Sequence, residues 1–114
     1  MSETRLTPEE LATGLVGLPR WKADGGRIVR RFETDGWRGS MLVAGAVAFV
    51  CEAADHHADV LVTWPAVTIS LSTHSAGGIT GKDLEVAALI ETQVTWQPGP
   101  GSSLRGPATP FVKS

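Results

Sequence analysis

Apolar positions recur at helical spacing in three stretches and at strand spacing in four, with glycine, proline and short polar residues between them. Residues 1–6 show neither period and read as a frayed terminus. Thr7-Pro8-Glu9-Glu10 is a helix start. Thr7 caps, Pro8 suits the first helical position, and Glu10 completes a reciprocal capping box. Leu11, Leu15 and Leu18 supply the buried stripe, and Gly17 and Pro19 end the helix. Trp21-Lys22-Ala23 is a short strand and Asp24-Gly25-Gly26 a hairpin turn, because glycine takes positive φ without a Cβ clash. In the return strand, residues 27–34, Ile28, Arg30, Phe32 and Thr34 share one face; Val29, Arg31 and Glu33 share the other.

Asp35 is placed to cap a second helix that includes Trp37 and runs to about Asp55. Gly39 and Gly45 each cost about 1 kcal/mol against alanine inside a helix, which points to close packing at both. From Met41 to Ala54 the helix is apolar on almost every side, and such a helix is expected to be buried all round. In so small a chain this implies the sheet on one side and a partner on the other. His56 to Asp59 leave the helix. Residues 60–64 form a strand, Pro65-Ala66 a tight connection, and residues 67–72 the next strand, with Val67, Ile69 and Leu71 towards the core. Continued alternation would set His74 on the polar face. Ser75 to Gly78 form a loop, and Thr80 caps a third helix with Asp83 at its third position, fading near Trp96. The order α-β-β-α-β-β-α, built from two hairpins, predicts an α+β fold: a four-stranded antiparallel sheet with helices packed on one face.

The domain predicted by these elements covers residues 1–96. Residues 97–114, rich in Pro, Gly and Ser, cannot build a core and are expected to form a disordered tail, with docking through Phe111 and Val112 as the alternative. At 114 residues the chain fits one small domain, and association would add burial that its own length does not supply. The net charge of −2 and the lack of a clustered basic patch argue against nucleic acid; Arg27, Arg30 and Arg31 read as a solvated strand face. The one cysteine, Cys51, cannot form an internal disulfide and reads as a small buried hydrophobe, in keeping with a cytoplasmic protein. No signal peptide is visible, and the run from Met41 to Cys51 is too short to span a bilayer, so no membrane association is expected.

All three histidines, His56, His57 and His74, lie between Glu52 and Asp83 in polar company. Imidazole titrates near neutral pH, so their confinement suggests one acid/base site. Taken singly, each residue has an ordinary explanation. A histidine pair suits the negative end of a helix, His74 suits a strand end, Asp83 a cap and Glu52 a solvated face. A metal site is disfavoured, because adjacent helical residues point about 100° apart and the chain holds no His-x-His, Glu-x-x-His or CxxC.

The joint spacing of Glu52, His56-His57, Trp64, His74 and Asp83, with Trp21, Phe32, the Leu71 to His74 run and Gly78-Ile79-Thr80, resembles the pterin-4a-carbinolamine dehydratase family over roughly residues 5 to 95. Ala58 stands where the family usually has proline, and Asp59-Val60-Leu61 holds no aromatic residue. The resemblance implies a hydro-lyase of tetrahydrobiopterin recycling that removes water from a 4a-hydroxytetrahydropterin. It implies His56, His57 and His74 as catalytic, with His57 and His74 the proton-transfer pair, and no cofactor. Asp55, Ser72 and Thr73 would bind the pterin, and Glu52 and Asp83 would support the histidines. It also implies a homodimer or homotetramer. A non-catalytic assembly protein acting through a protein partner is the competing reading.

Overall fold

The structure is a computed structural model that describes residues 4–114, so the first three residues of the expected frayed terminus lie outside it. The chain forms α1 (Pro8–Leu15), β1 (Lys22–Asp24), β2 (Arg27–Glu33), α2 (Trp37–Ala54), β3 (Asp59–Thr63), β4 (Ala66–Leu71), one 3-10 turn (His74–Ala76) and α3 (Gly81–Thr95). The four strands make one antiparallel sheet in the order β1-β2-β4-β3, with helices packed on one face, as the hairpin pattern predicts.

Local sequence explains most of the boundaries. Thr7 and Glu10 form the reciprocal box at α1, and Thr80 and Asp83 repeat it at α3. Gly25 and Gly26 both adopt positive φ, 59° and 80°, and close the β1-β2 hairpin with Asp24 opposite Arg27. Alternation on β2 and β4 buries Ile28, Phe32, Val67, Ile69 and Leu71 completely, each worth roughly 1.5–3 kcal/mol. Val43, Val47, Val50 and Cys51 of α2 and Val86, Ala87, Ile90 and Val94 of α3 complete the core. Leu11 and Leu15 only half-bury against it, and Leu18, beyond the helix, is the buried member of the expected stripe.

Two expectations are corrected. The cap of α2 is Gly36, not Asp35, and no side chain caps this end. Gly36 sits at φ 145°, where a side chain is strained, and a Cβ there would stand 3.4 Å from the Trp64 ring. The helix is fastened instead by fully buried Ser40, whose hydroxyl donates to the Trp64 carbonyl at 3.0 Å and lies 2.7 Å from Thr34 Oγ1.

Arg30 does not lie on a solvated face. It is 3% exposed, pairs in bidentate fashion with Glu91 (two contacts of 2.9 Å) and packs 3.8 Å from the Phe32 ring centroid. Its place on the core-facing side of β2 forces this, since a buried charge requires a partner. Within the single chain, α2 is buried on one side only, the other being the side expected to meet a partner. Its mean hydropathy is 1.2, yet only 33% of it is buried, and Trp37, Met41, Leu42 and Phe49 remain exposed. The protomer has one sheet to offer, and it covers one side of the helix.

Gly39 allows close packing, but against an unexpected neighbour. A Cβ there would lie 2.7 Å from the Phe111 carbonyl oxygen. Nothing comes within 4 Å of such an atom at Gly45. Phe111 and Val112 are docked: the Asp35 amide donates to the Phe111 carbonyl (3.1 Å), the Lys113 amide donates to the Glu33 carbonyl (2.7 Å), and Val112 bridges Thr34.

Candidate active site

Asp55 ends α2 in the left-handed conformation, φ 53°, which aspartate tolerates better than most residues. The turn sends His56 towards α3. There His56 Nε2 meets Asp83 Oδ1 at 2.6 Å, with the His56 side chain 13% exposed and that of Asp83 completely buried. Asp83 is therefore more than a helix cap. Its other oxygen accepts from the Thr80 backbone amide (2.9 Å) and from the Thr73 hydroxyl (2.8 Å). Thr73 Oγ1 also lies 2.8 Å from Thr80 Oγ1. A buried carboxylate held by these two donors cannot swing freely, so it fixes the imidazole it touches.

His57 turns the other way. Its Nε2 lies 2.8 Å from Glu52 Oε1, and both side chains are open to solvent, 57% and 83% exposed. This pair spans one turn at the end of α2 and is weak by comparison, since water competes for both partners. The two adjacent imidazoles thus engage different carboxylates. Among the described residues, no group of three His, Cys, Asp or Glu side chains could hold a metal ion.

β4 stops at Leu71, one residue short of expectation, and His74 opens the 3-10 turn rather than extending the polar face. Thr73 is held by reciprocal backbone hydrogen bonds with Gly78, and Gly77 at φ 71° completes the loop. His74 is exposed and lines a cavity of about 310 Å³ with Gly25, Gly26, Arg27, Ser72 and Thr73. The β1-β2 turn thereby forms one wall. Asp55 is exposed, Ser72 half-buried, and the Thr73 side chain is engaged with Asp83 and Thr80. The connected path runs from His56 through Asp83 to Thr73, whose chain neighbour is His74.

Residues 4–93 match the family described as pterin 4 alpha carbinolamine dehydratase. The chain belongs to this family. A protein of Nocardia farcinica named as a pterin-4-alpha-carbinolamine dehydratase is 38% identical over 91 residues, covering 80% of this chain and 96% of the relative. One of Roseiflexus castenholzii, with the same name, is 41% identical over 86 residues, covering 75% and 92%. Among solved structures, a transcriptional coactivator/pterin dehydratase from Brucella melitensis superposes with a TM-score of 0.75 at 28% identity, over 80% of this chain and 99% of that one. Membership of the dehydratase family carries an enzyme's framework to residues 4–93. The segment after them has no counterpart in the match.

One further group near this framework escaped the sequence reading. Glu91 accepts from Trp21 Nε1 at 2.8 Å as well as from Arg30. Burial alone would raise its pKa; the hydrogen bonds from Arg30 and Trp21, with the charges of Arg30 and Arg20, outweigh burial and hold it below the ordinary value. The signal available in sequence was Arg30 itself, a charge in phase with Ile28 and Phe32.

Proposed function

We propose that this chain dehydrates a 4a-hydroxytetrahydropterin to quinonoid dihydropterin by histidine acid/base catalysis. The C4a–O bond breaks as an imidazolium protonates the departing hydroxide. A neutral imidazole takes the proton from the neighbouring ring nitrogen, so one water leaves and no electron moves. Groups that titrate near the working pH serve both roles best.

The observation that carries this reading is the His56–Asp83–Thr73 connection, which ties His56 to the segment bearing His74. His56, half-buried and fixed by a buried carboxylate, suits a positioning role. His57 and His74 have exposed rings and suit proton exchange with a bound pterin, His74 from the wall of its cavity. Ser72 shares that wall and supports a role in holding the pterin edge, as exposed Asp55 does from the end of α2. The Thr73 side chain serves Asp83 and its backbone pairs with Gly78, so its part is to hold the segment that presents Ser72 and His74.

A homodimer or homotetramer built on the exposed side of α2 accompanies this proposal, because Trp37, Met41, Leu42 and Phe49 together are an apolar surface of the kind proteins cover. The test is a stopped-flow dehydration assay on chemically generated 4a-hydroxytetrahydropterin. The wild type accelerates the reaction, and His57→Ala and His74→Ala each remove roughly 10²–10⁴-fold of it. Wild type running at the uncatalysed rate would sink the enzyme and favour the assembly reading.

A further inference from the structure

A concavity larger than the one beside His74 lies away from the histidines. It has a volume of about 740 Å³ and is formed where the C-terminal segment lies against β2 and the end of α3. That volume falls within the usual range for a small-molecule site. The histidines, Asp83 and Thr73 are absent from its lining. Most of its wall comes from residues beyond the stretch shared with the family, so the family's reaction does not account for it.

Two properties of the wall specify what would fit. The first is charge. Arg20, Arg30, Arg105 and Lys113 line it against a single acidic side chain, Glu91, in a chain of net charge −2. Arg30 and Glu91 neutralise one another. Arg20 acts on Glu91 by charge but forms no salt bridge with it, and Arg105 and Lys113 form none among the described residues. The second is apolar surface. Trp96 and Leu104 are 64% and 61% exposed, and both line this concavity. Indole offers a flat apolar face for a ring to stack on, and the arginine fork matches a carboxylate.

We propose that this cleft is a second binding site, for a small aromatic carboxylate. The ring lies against Trp96 and Leu104, and the carboxylate is drawn to Arg20, Arg105 and Lys113. The site does not depend on pterin turnover.

The probe is naphthoate, with the uncharged naphthalenemethanol as its comparator, titrated into the full chain and followed by amide and indole NMR shifts. Naphthoate is expected to bind saturably, one per chain, with shifts centred on Trp96 and residues 104–106. The double variant Arg20→Gln/Arg105→Gln should weaken naphthoate about tenfold or more and leave the alcohol unchanged. Trp96→Ala should weaken both, and His74→Ala and Phe49→Glu neither. The proposal is overturned by three results: shifts linear in ligand up to millimolar concentration, naphthoate affinity unchanged in the double arginine variant, or shifts centred on α2 or on His74.

Discussion

His56 Nε2 and Asp83 Oδ1 stand 2.6 Å apart across 27 residues of sequence, joining the end of α2 to the first turn of α3. The Asp83 carboxylate also closes the α3 capping box. One buried group thus serves a helix end and an imidazole together, and a change at Asp83 should be felt in both stability and turnover.

Asp83→Asn keeps the shape and removes the charge. The turnover number for dehydration should fall tenfold to a hundredfold, roughly, short of the ~10²–10⁴ that a whole acid or base supplies. KM should stay near the wild-type value. Stopped-flow kinetics alongside circular dichroism measure it; an unchanged turnover number in a folded variant would remove His56 from the reaction.

Thr73→Val deletes the hydroxyl that links Thr80 Oγ1 and Asp83 Oδ2, both at 2.8 Å in a buried setting. Leaving such groups without a partner costs about 1–3 kcal/mol. Urea denaturation should show that loss, and Thr73→Ser should recover most of it.

Glu91 has a folded-state pKa lowered from its ordinary 4.5. The ionised carboxylate therefore stabilises the fold above that value, and the stabilisation disappears as pH falls through the lowered pKa. Glu91→Gln should be less stable than wild type at neutral pH, with the gap closing in acid. Denaturation midpoints across a pH series test this. A gap of constant size from neutral to acid pH would contradict it.

Phe49 is 70% exposed and Leu42 46%. If α2 is covered by a second copy, Leu42→Glu/Phe49→Glu should convert the oligomer to a folded monomer in light scattering. Wild type already monomeric at micromolar concentration would refute the association.

Much of the fold was legible because its determinants are local. Both capping boxes lie within four residues, the β1-β2 turn within three, and the alternation of β4 within six. What the sequence concealed was long-range. Arg30 and Glu91 are 61 residues apart, and nothing near either one identifies the other. Asp35 looked like a helix cap because its type fits, but its backbone amide is taken by Phe111 and glycine makes the turn. The candidate site was visible as spacing between residues, and the pairing of each histidine with its own carboxylate became visible only once α2 and α3 were side by side. Thr73, expected to meet substrate, has its hydroxyl turned to Asp83 because β4 ends before it.

The docked C-terminal residues bear on the sheet in another way. β1 pairs only with residues 27–29 of β2, while Val112 and Lys113 pair beside Glu33 and Thr34. An unpaired strand edge is a template on which another chain can add a strand. Here that template is occupied by the chain itself. The Nocardia farcinica relative is matched over 96% of its length by 91 residues, which leaves no room for such a segment. In this one that part of the β2 edge is closed from within, which leaves β3, paired only with β4, as an open edge of the sheet.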